Sequence, residues 1–214
     1  MKTVSCTIMG EELLLFPSKA LYWPRHRMLM LADVHLGKVT HFRRAGIAVP
    51  TALQFTDLQR LDALIDLCQP EQVAFLGDLF HSYHNAEWPA FGEFLRNYPE
   101  IQFTLVRGNH DILEEEHYRE LPLALRDQWT LPPFLLTHEP LTAIPSQQYN
   151  LCGHLHPGVI LGGPAKQRLR LPCFYFGPQQ GILPAFGRFT GLAILQPKAG
   201  ERYFVITEEE VLEV

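Results

Sequence analysis

A chain of 214 residues with 47% hydrophobic and 19% charged side chains has the size and composition of one ordinary globular domain. The N-terminal MKTVSCTIMG lacks the apolar run of a signal peptide, and no stretch approaches the roughly 18–20 apolar residues of a membrane span, so a cytoplasmic location is expected. A formal charge of −5 without a lysine-rich tail argues against a protein that coats nucleic acid by bulk electrostatics, while leaving room for a local basic patch.

Cys6, Cys68, Cys152 and Cys173 lie far apart among apolar residues and form no C-x-x-C pair. Reduced, mostly buried thiols are expected, rather than a disulfide framework or a thiolate zinc site. No internal period, low-complexity tract or Gly/Ser linker divides the chain, so residues 1–214 are read as a single domain.

In chain order, RMLMLAD (27–33) reads as a buried strand that ends at a carboxylate. A polar, glycine-containing loop, VHLGKVTHFRRAGIAVP, follows it. TALQFTDLQRLDALIDLCQ then carries Leu53, Leu58, Leu61, Leu64, Ile65 and Cys68 near helical spacing, with Thr51 and Gln54 as a capping box. QVAFLGD (72–78) is a second strand ending at an aspartate, and the stripe of Trp88, Phe91, Phe94, Leu95 and Tyr98 predicts an amphipathic helix. IQFTLVRGNHD, PFLLTHEP and YNLCGHLHP supply three more strands, and RLRLPCFYFG, GLAILQP and RYFVIT make the rest mostly β. Strands that alternate with helices and then run on as strands predict an α/β sandwich of two sheets.

Each of the first five strands ends in polar residues: Asp33 and His35, Asp78, Asn109 with His110, His138, and His154 with His156. Ligands of open α/β sheets gather where strands give way to loops, so these groups are expected to share one rim. The set is carboxylate, amide and imidazole without thiolate, which suits Mn, Fe, Co or Zn. Singly, D-x-H or G-D is a weak signal; five such motifs, each directly after an apolar strand, have no account as packing alone. In LCGHLHPG, an extended backbone would turn His154 and His156 to one side and Leu155 into the core.

The motifs DVHLG, GDLF, GNHD, TH and GHLH, spread from Asp33 to His156, resemble those of the calcineurin-like metallophosphoesterases. The resemblance implies an α/β/β/α sandwich of two mainly mixed sheets flanked by helices, without a cap domain, and a site for two divalent metal ions. Mapped by motif, Asp33, His35 and His156 would hold one ion, Asn109, His138 and His154 the other, and Asp78 would bridge them. His110 would not be a ligand but would face the leaving oxygen and protonate it, or stabilise its charge. Asp111 would hold the His110 ring, cap a helix before ILEEEHYREL, or do both. HFRRAGIAVP, GDLFHS, LPCF and LPAFGRFTG are also similar to stretches of one bacterial branch, described as ligase-associated DNA-damage-response endonucleases. That branch implies DNA as substrate, a role in DNA repair and a functional association with DNA ligase or helicase, manganese being the first expectation for the metal.

Substrate contacts are expected from the basic cluster Lys38, His41, Arg43 and Arg44 and from His81 or His84. Arg107 is read as either a phosphate contact or a salt bridge. His26 and His117 are read as structural, and the run Glu114 to Glu116 as the solvated face of a helix. Two other functions are weighed: a small-molecule phosphoesterase using the same site, and a non-catalytic scaffold, against which the complete ligand set with His110 counts. The sequence is silent on oligomeric state.

Overall fold

The structure, a computed structural model, describes residues 2–44, 46, 48, 50, 55–80, 87–163, 167–188 and 190–214, apart from the side chains of Val39 and Arg44. The first sheet opens as an antiparallel meander of β1 (Val4–Ile8), β2 (Glu11–Leu15), β3 (Leu21–Trp23) and β4 (Met28–Leu31). From β4 the sheet runs parallel through β5 (Gln72–Leu76), β6 (Gln102–Val106) and β7 (Ala124–Arg126). The connections carry α1 (Lys38–Arg44) and α2 (Thr56–Cys68), then α3 (Glu87–Arg96), then α4 (Glu115–Arg119).

The second sheet is built from β8 (Trp129–Leu131), β9 (Phe134–Leu136), β10 (Tyr149–Cys152), β11 (Pro157–Gly162), β12 (Arg168–Phe176), β13 (Gln180–Ile182) and β14 (Ala193–Ile194). Its order is β14-β11-β12-β13-β10-β9-β8, with β15 (Arg202–Ile206) beside β12 and β16 (Val211–Glu213) beside β15. Both sheets are mixed, and the chain has the two-sheet α/β sandwich that the alternating pattern predicts.

Period-two alternation decides which layer each residue enters. On β4, β5 and β6, Leu29, Leu31, Val73, Phe75, Phe103 and Leu105 pack under α2, α3 and α4. The intervening Met28, Met30, Ala74, Leu76 and Val106 face Phe134, Leu136, Leu151 and Phe174 of the second sheet. Strands buried on both faces read as continuous apolar runs, as MLML does in β4. The N-terminal meander, β1 to β3, has no counterpart among the predicted strands. Its alternation is short, and it is stabilised by pairing with β4, which local pattern does not reveal.

α2 begins at Thr56 with no side-chain cap on Phe55, and it buries Leu58, Leu61, Leu64 and Ile65. Leu53 and the predicted capping box of Thr51 and Gln54 lie outside the described residues. α3 buries Trp88, Phe91 and Leu95, as its spacing predicts. The four cysteines are free, and burial is the chief cause that raises each thiol pKa. Phe91 is fully buried between Phe75 and Phe80, at ring distances of 5.8 and 5.5 Å. Phe91→Ala is therefore expected to cost about 3–5 kcal/mol, read as a lower urea midpoint with an unchanged slope.

Candidate metal centre

Parallel pairing sets the carboxyl ends of β4, β5 and β6 along one edge, and β9 and β10, parallel to each other, bring theirs to it from the second sheet. Asp33 and Asp78 each stand two residues past their strand, as do His138 and His154; Asn109 stands three past β6. The loops are tied together by main-chain bonds: Asp33 N–H to Gly77 O (3.1 Å), His35 N–H to Asp78 O (2.9 Å) and Gly153 N–H to His138 O (2.9 Å). Asn150, fully buried, donates to Leu135 O (2.9 Å) and Thr137 Oγ1 (2.8 Å) and so braces the strand end that carries His138.

Two groups result, each with ligand atoms within 4.8 Å of one another: Asp33, His35 and His156, and Asp78, His138 and His154. Asn109 joins the second through Oδ1, 3.0 Å from His138 Nε2. Asp78 lies between the groups, Oδ1 at 3.4 Å from His138 Nε2 and Oδ2 at 3.9 Å from His35 Nε2. His156 Nε2 is 3.4 Å from Asp33 Oδ1. Asp33, His35, Asp78 and His138 are all buried.

The donor chemistry fits cations. His138 Nδ1 meets the carbonyl oxygen of Leu76 at 2.9 Å, and a carbonyl only accepts, so the proton of a neutral His138 sits on Nδ1. Its Nε2 lone pair then points into a space shared with Asn109 Oδ1, Asp78 Oδ1 and His154 Nδ1, the last at 3.1 Å. Apart from the His110 N–H on Asp78 Oδ1 and whatever proton His154 Nδ1 carries, these are acceptor atoms, and a cation among them would offset their mutual repulsion. Among the described residues no Lys or Arg pairs with Asp33 or Asp78, and a buried carboxylate without a countercharge is costly.

The backbone confirms how tightly these turns are built. Asp33, His35, Asp78, His154 and His156 all have φ between 50° and 69°. That left-handed region costs an L residue with a Cβ about 1–2 kcal/mol, and surrounding contacts must hold it there. Gly77, with φ 79°, leaves room for the His138 ring, and Gly108 leaves room for Asp78: a Cβ at either position would overlap those atoms. The glycines of G-D and G-N-H-D are thus spacing elements for the ligands beside them.

Three expectations are corrected. His154 and His156 are not successive outward residues of a strand but two left-handed positions in a turn after β10. Leu155 consequently projects outward, 38% exposed, instead of entering the core. Asp111 neither holds the His110 ring nor caps a helix at residue 112, since α4 has Glu114 at its N-cap. Its Oδ1 accepts from the N–H groups of Leu79 (3.0 Å) and Phe80 (3.4 Å), and its Oδ2 from Gly108 N–H (2.9 Å). It thereby clamps the Asp78 loop to the Asn109 loop. Burial pushes its carboxyl up to about 6, the Asp78 charge adding and the three N–H donors opposing. Finally, the segment from Lys38 is helix α1 where a loop was expected.

His110 stands at the mouth, exposed, its N–H donated to Asp78 Oδ1 (2.9 Å) and its ring centroid 5.7 Å from that of His35. Lys38, half-buried, is held at the rim. Burial pulls its pKa down, while the charges of Asp33 and Asp78 pull it back up, so it is close enough to feel both. Arg43 and His41 are exposed on α1; the Arg44 side chain, His81 and His84 lie outside the described residues. Arg107 is turned to Glu115 (3.3 Å) and Asp127 (4.0 Å), the salt-bridge alternative. Glu87, buried and missed in the sequence, accepts from Thr40 Oγ1 and ties α1 to α3. Cys152, beside the last motif, aims its thiol at Gly181 O (3.6 Å) and is no part of the donor set.

The sequence pattern of the calcineurin-like phosphoesterases matches residues 26–172, more than half of the chain, and the chain belongs to that family. It is accordingly a metal-dependent hydrolase of phosphoric esters, in a family that works with two metal ions. Among solved structures, Pseudomonas putida nuclease MPE superposes with a TM-score of 0.82 at 32% identity, over 100% of both chains. Yfce, a phosphoesterase from E. coli, aligns at 14% identity over 87% of this chain and 97% of that one, with a TM-score of 0.47. No curated protein matches the sequence. Among the described residues, no helix is long and apolar enough to cross a membrane.

Because Asp78 faces both triads, Asp78→Asn is expected to lose both ions together, whereas His156→Ala should release one and keep the other. Gly108→Ala should also lower metal content by displacing Asp78. Elemental analysis of purified protein reads all three; full metal content in Asp78→Asn would show that the carboxylate is no bridge.

Proposed function

We propose that this protein is a manganese-dependent DNA endonuclease of the cytoplasm that acts in DNA repair. The observation that carries the reading is a complete set of donors, with His110 at their open mouth, in a chain that aligns end to end with a nuclease. Reduced cysteines accord with the cytoplasm, and a carboxylate, amide and imidazole donor set accords with manganese.

Asp33, His35 and His156 would hold one ion, Asn109, His138 and His154 the other, and Asp78 both. Bound there, the ions would lower the pKa of water and offset charge on the phosphate during an in-line displacement. The protein's own part is positional and protonic. Asp33 is kept from swinging by the His154 N–H, which donates to its carboxylate (2.9 Å to Oδ2). Asp78 is likewise held by the backbone N–H of His110, which ties the loop that carries the general acid to the bridging carboxylate. A protonated His110 imidazole, exposed beside His35, gives its proton to the departing oxygen and accepts it back from solvent. Lys38, on the rim and drawn towards Asp33 and Asp78, sets its ammonium against a non-bridging phosphate oxygen. Asn109 and His110 are exposed, which leaves them within reach of a polymeric substrate.

The assay that decides is hydrolysis with Mn²⁺ of single- and double-stranded oligonucleotides, bis-p-nitrophenyl phosphate and p-nitrophenyl phosphate. Internal cleavage of DNA, abolished by Asp78→Asn, is expected. Hydrolysis of monoester or nucleotides with DNA left intact would move the protein to the small-molecule phosphoesterases. His110→Ala is expected to keep its metal but lower kcat roughly 10²–10⁴-fold on DNA, and less on the diester with its good nitrophenolate leaving group. Equal losses on both would remove the general-acid role.

A further inference from the structure

We propose that a cationic pocket on the metal-bearing rim, lined by Lys19, Arg60 and Arg188, is a second phosphate-binding site that holds a neighbouring phosphate of the DNA strand. The proposal rests on the nuclease reading and adds to it a grip on the substrate away from the scissile bond.

The place of the pocket follows from topology. Residues Phe16 to Ala20 join β2 to β3, and β3 runs antiparallel to β4 with Leu21 opposite Met30. The turn therefore stands at the carboxyl end of β4, the end that carries Asp33, about 5–10 Å along the rim at one to two strand spacings. Arg188 reaches the same spot from the C-terminal part of the chain. Ala185 bridges Ala32, Phe186 N–H donates to Ala32 O (2.8 Å) and Gly187 N–H to Asp33 O (3.0 Å). A Cβ on Gly187 would overlap the Val34 carbonyl, so this segment lies flush on the first metal loop. Arg188 is thus one residue beyond a direct bond to Asp33. Lys38 and α1 lean the other way, towards Glu87 at the start of α3.

Between these walls and α2 lies a cavity of about 690 Å³. Arg60 is its fixed post: its guanidinium donates to Asp57 Oδ1 (2.8 Å), Phe186 O (3.0 Å) and Ser18 O (2.6 Å), and lies 4.2 Å over the Phe186 ring. Asp57 Oδ2 also accepts from the backbone N–H of Arg188 (3.3 Å), and its charge acts on Lys19, Arg60 and Arg188 alike. Among the described residues neither Lys19 nor Arg188 makes an ion pair, and Glu208, on the far wall, is beyond that distance from both. Burial and the two arginines pull the Lys19 ammonium down to about 8, Asp57 opposing. A chain of net charge −5 has thus gathered three positive groups around one cavity against two carboxylates, Asp57 behind Arg60 and Glu208 on the wall. Mutual repulsion there is relieved by an anion, and a lysine point charge beside guanidinium forks is phosphate chemistry. FGRFTG, noted in the sequence without a task, supplies one of these cations and the backbone that sets it against the metal loop.

The test compares wild type with the double variant Lys19→Gln/Arg188→Gln, and with Lys19→Arg, in Mn²⁺. The readout is kcat/KM on a single-stranded oligonucleotide divided by that on bis-p-nitrophenyl phosphate, which has no second phosphate to place in the pocket. The ratio is expected to fall about tenfold in the double variant, mainly through KM, and to be kept by Lys19→Arg. The slope of log affinity for DNA against log salt should become shallower by about one phosphate contact. A ratio within twofold of wild type and an unchanged slope, with wild type cutting DNA, overturn this proposal alone. Wild type that leaves DNA intact ends the nuclease reading and this one with it. Calorimetric binding of inorganic phosphate that the double variant loses, at an unchanged DNA ratio, would make the pocket a site for free phosphate and overturn the strand assignment.

Discussion

Two carboxylates, Asp33 and Asp78, are buried where two sheets meet, with imidazoles rather than lysine or arginine at ion-pair distance. Little else about the rim makes sense apart from that. Desolvated anions favour positive charge close by; one backbone N–H reaches each carboxylate, from His154 to Asp33 and from His110 to Asp78, and the remaining neighbours are imidazoles suited to bind metal. Cations in the space between the triads would balance the charge that these N–H groups leave. Folding and metal binding in this molecule are therefore coupled, since the same ligands that attract the ions are the groups most costly to bury without them.

The loops bear the cost of that arrangement in their backbone. Five candidate ligands sit in left-handed conformations, and Gly77 and Gly108 remove side chains that would occupy ligand space. The compensation comes from outside the site. Asp111 collects three N–H groups from two loops, Asn150 braces the end of β9, and main-chain bonds run from the first loop to the second and onward to Gly187. Apolar layers on both faces of the first sheet keep the strand ends in register, so that a loop two residues long is enough to deliver a ligand accurately.

Charge on the chain is distributed in a way the net value conceals. The overall charge is negative, yet cations lie on either side of the centre: Lys38 on α1, and Lys19, Arg60 and Arg188 beyond the β2–β3 turn. Such local placement is what the proposed hold on a polyanion would use, while the negative remainder of the surface disfavours indiscriminate adhesion. Arg107, next to the metal motif in sequence, shows the limit of proximity as a guide, because Glu115 and Asp127 already occupy it.

By itself the sequence determined β4, β5 and β6 of the parallel core, though not β7, together with the helical stripes of α2 and α3 and the candidate ligands. Each of these is a local signal: an apolar run of strand length or a 3.6-residue period, with a polar residue two or three steps past the strand's end. Their assignment to two ions came from resemblance; the structure groups Asp33, His35 and His156, and Asp78, His138 and His154, with Asn109 beside His138. Local pattern failed where the outcome depends on distant partners. GHLH reads as alternating strand, but the turn twists both histidines into left-handed backbone and leaves Leu155 outside, because the ligands must reach Asp33 and Asp78 on another sheet. Asp111 reads as a cap or a ring holder, but the N–H groups of Leu79 and Phe80 lie 31–32 residues earlier in the chain. Arg60 looks like one more solvated helix charge until Ser18 and Phe186, 42 and 126 residues away, close around it. Only the tertiary structure decided these, since a hydrogen bond between remote segments leaves no periodicity in either of them.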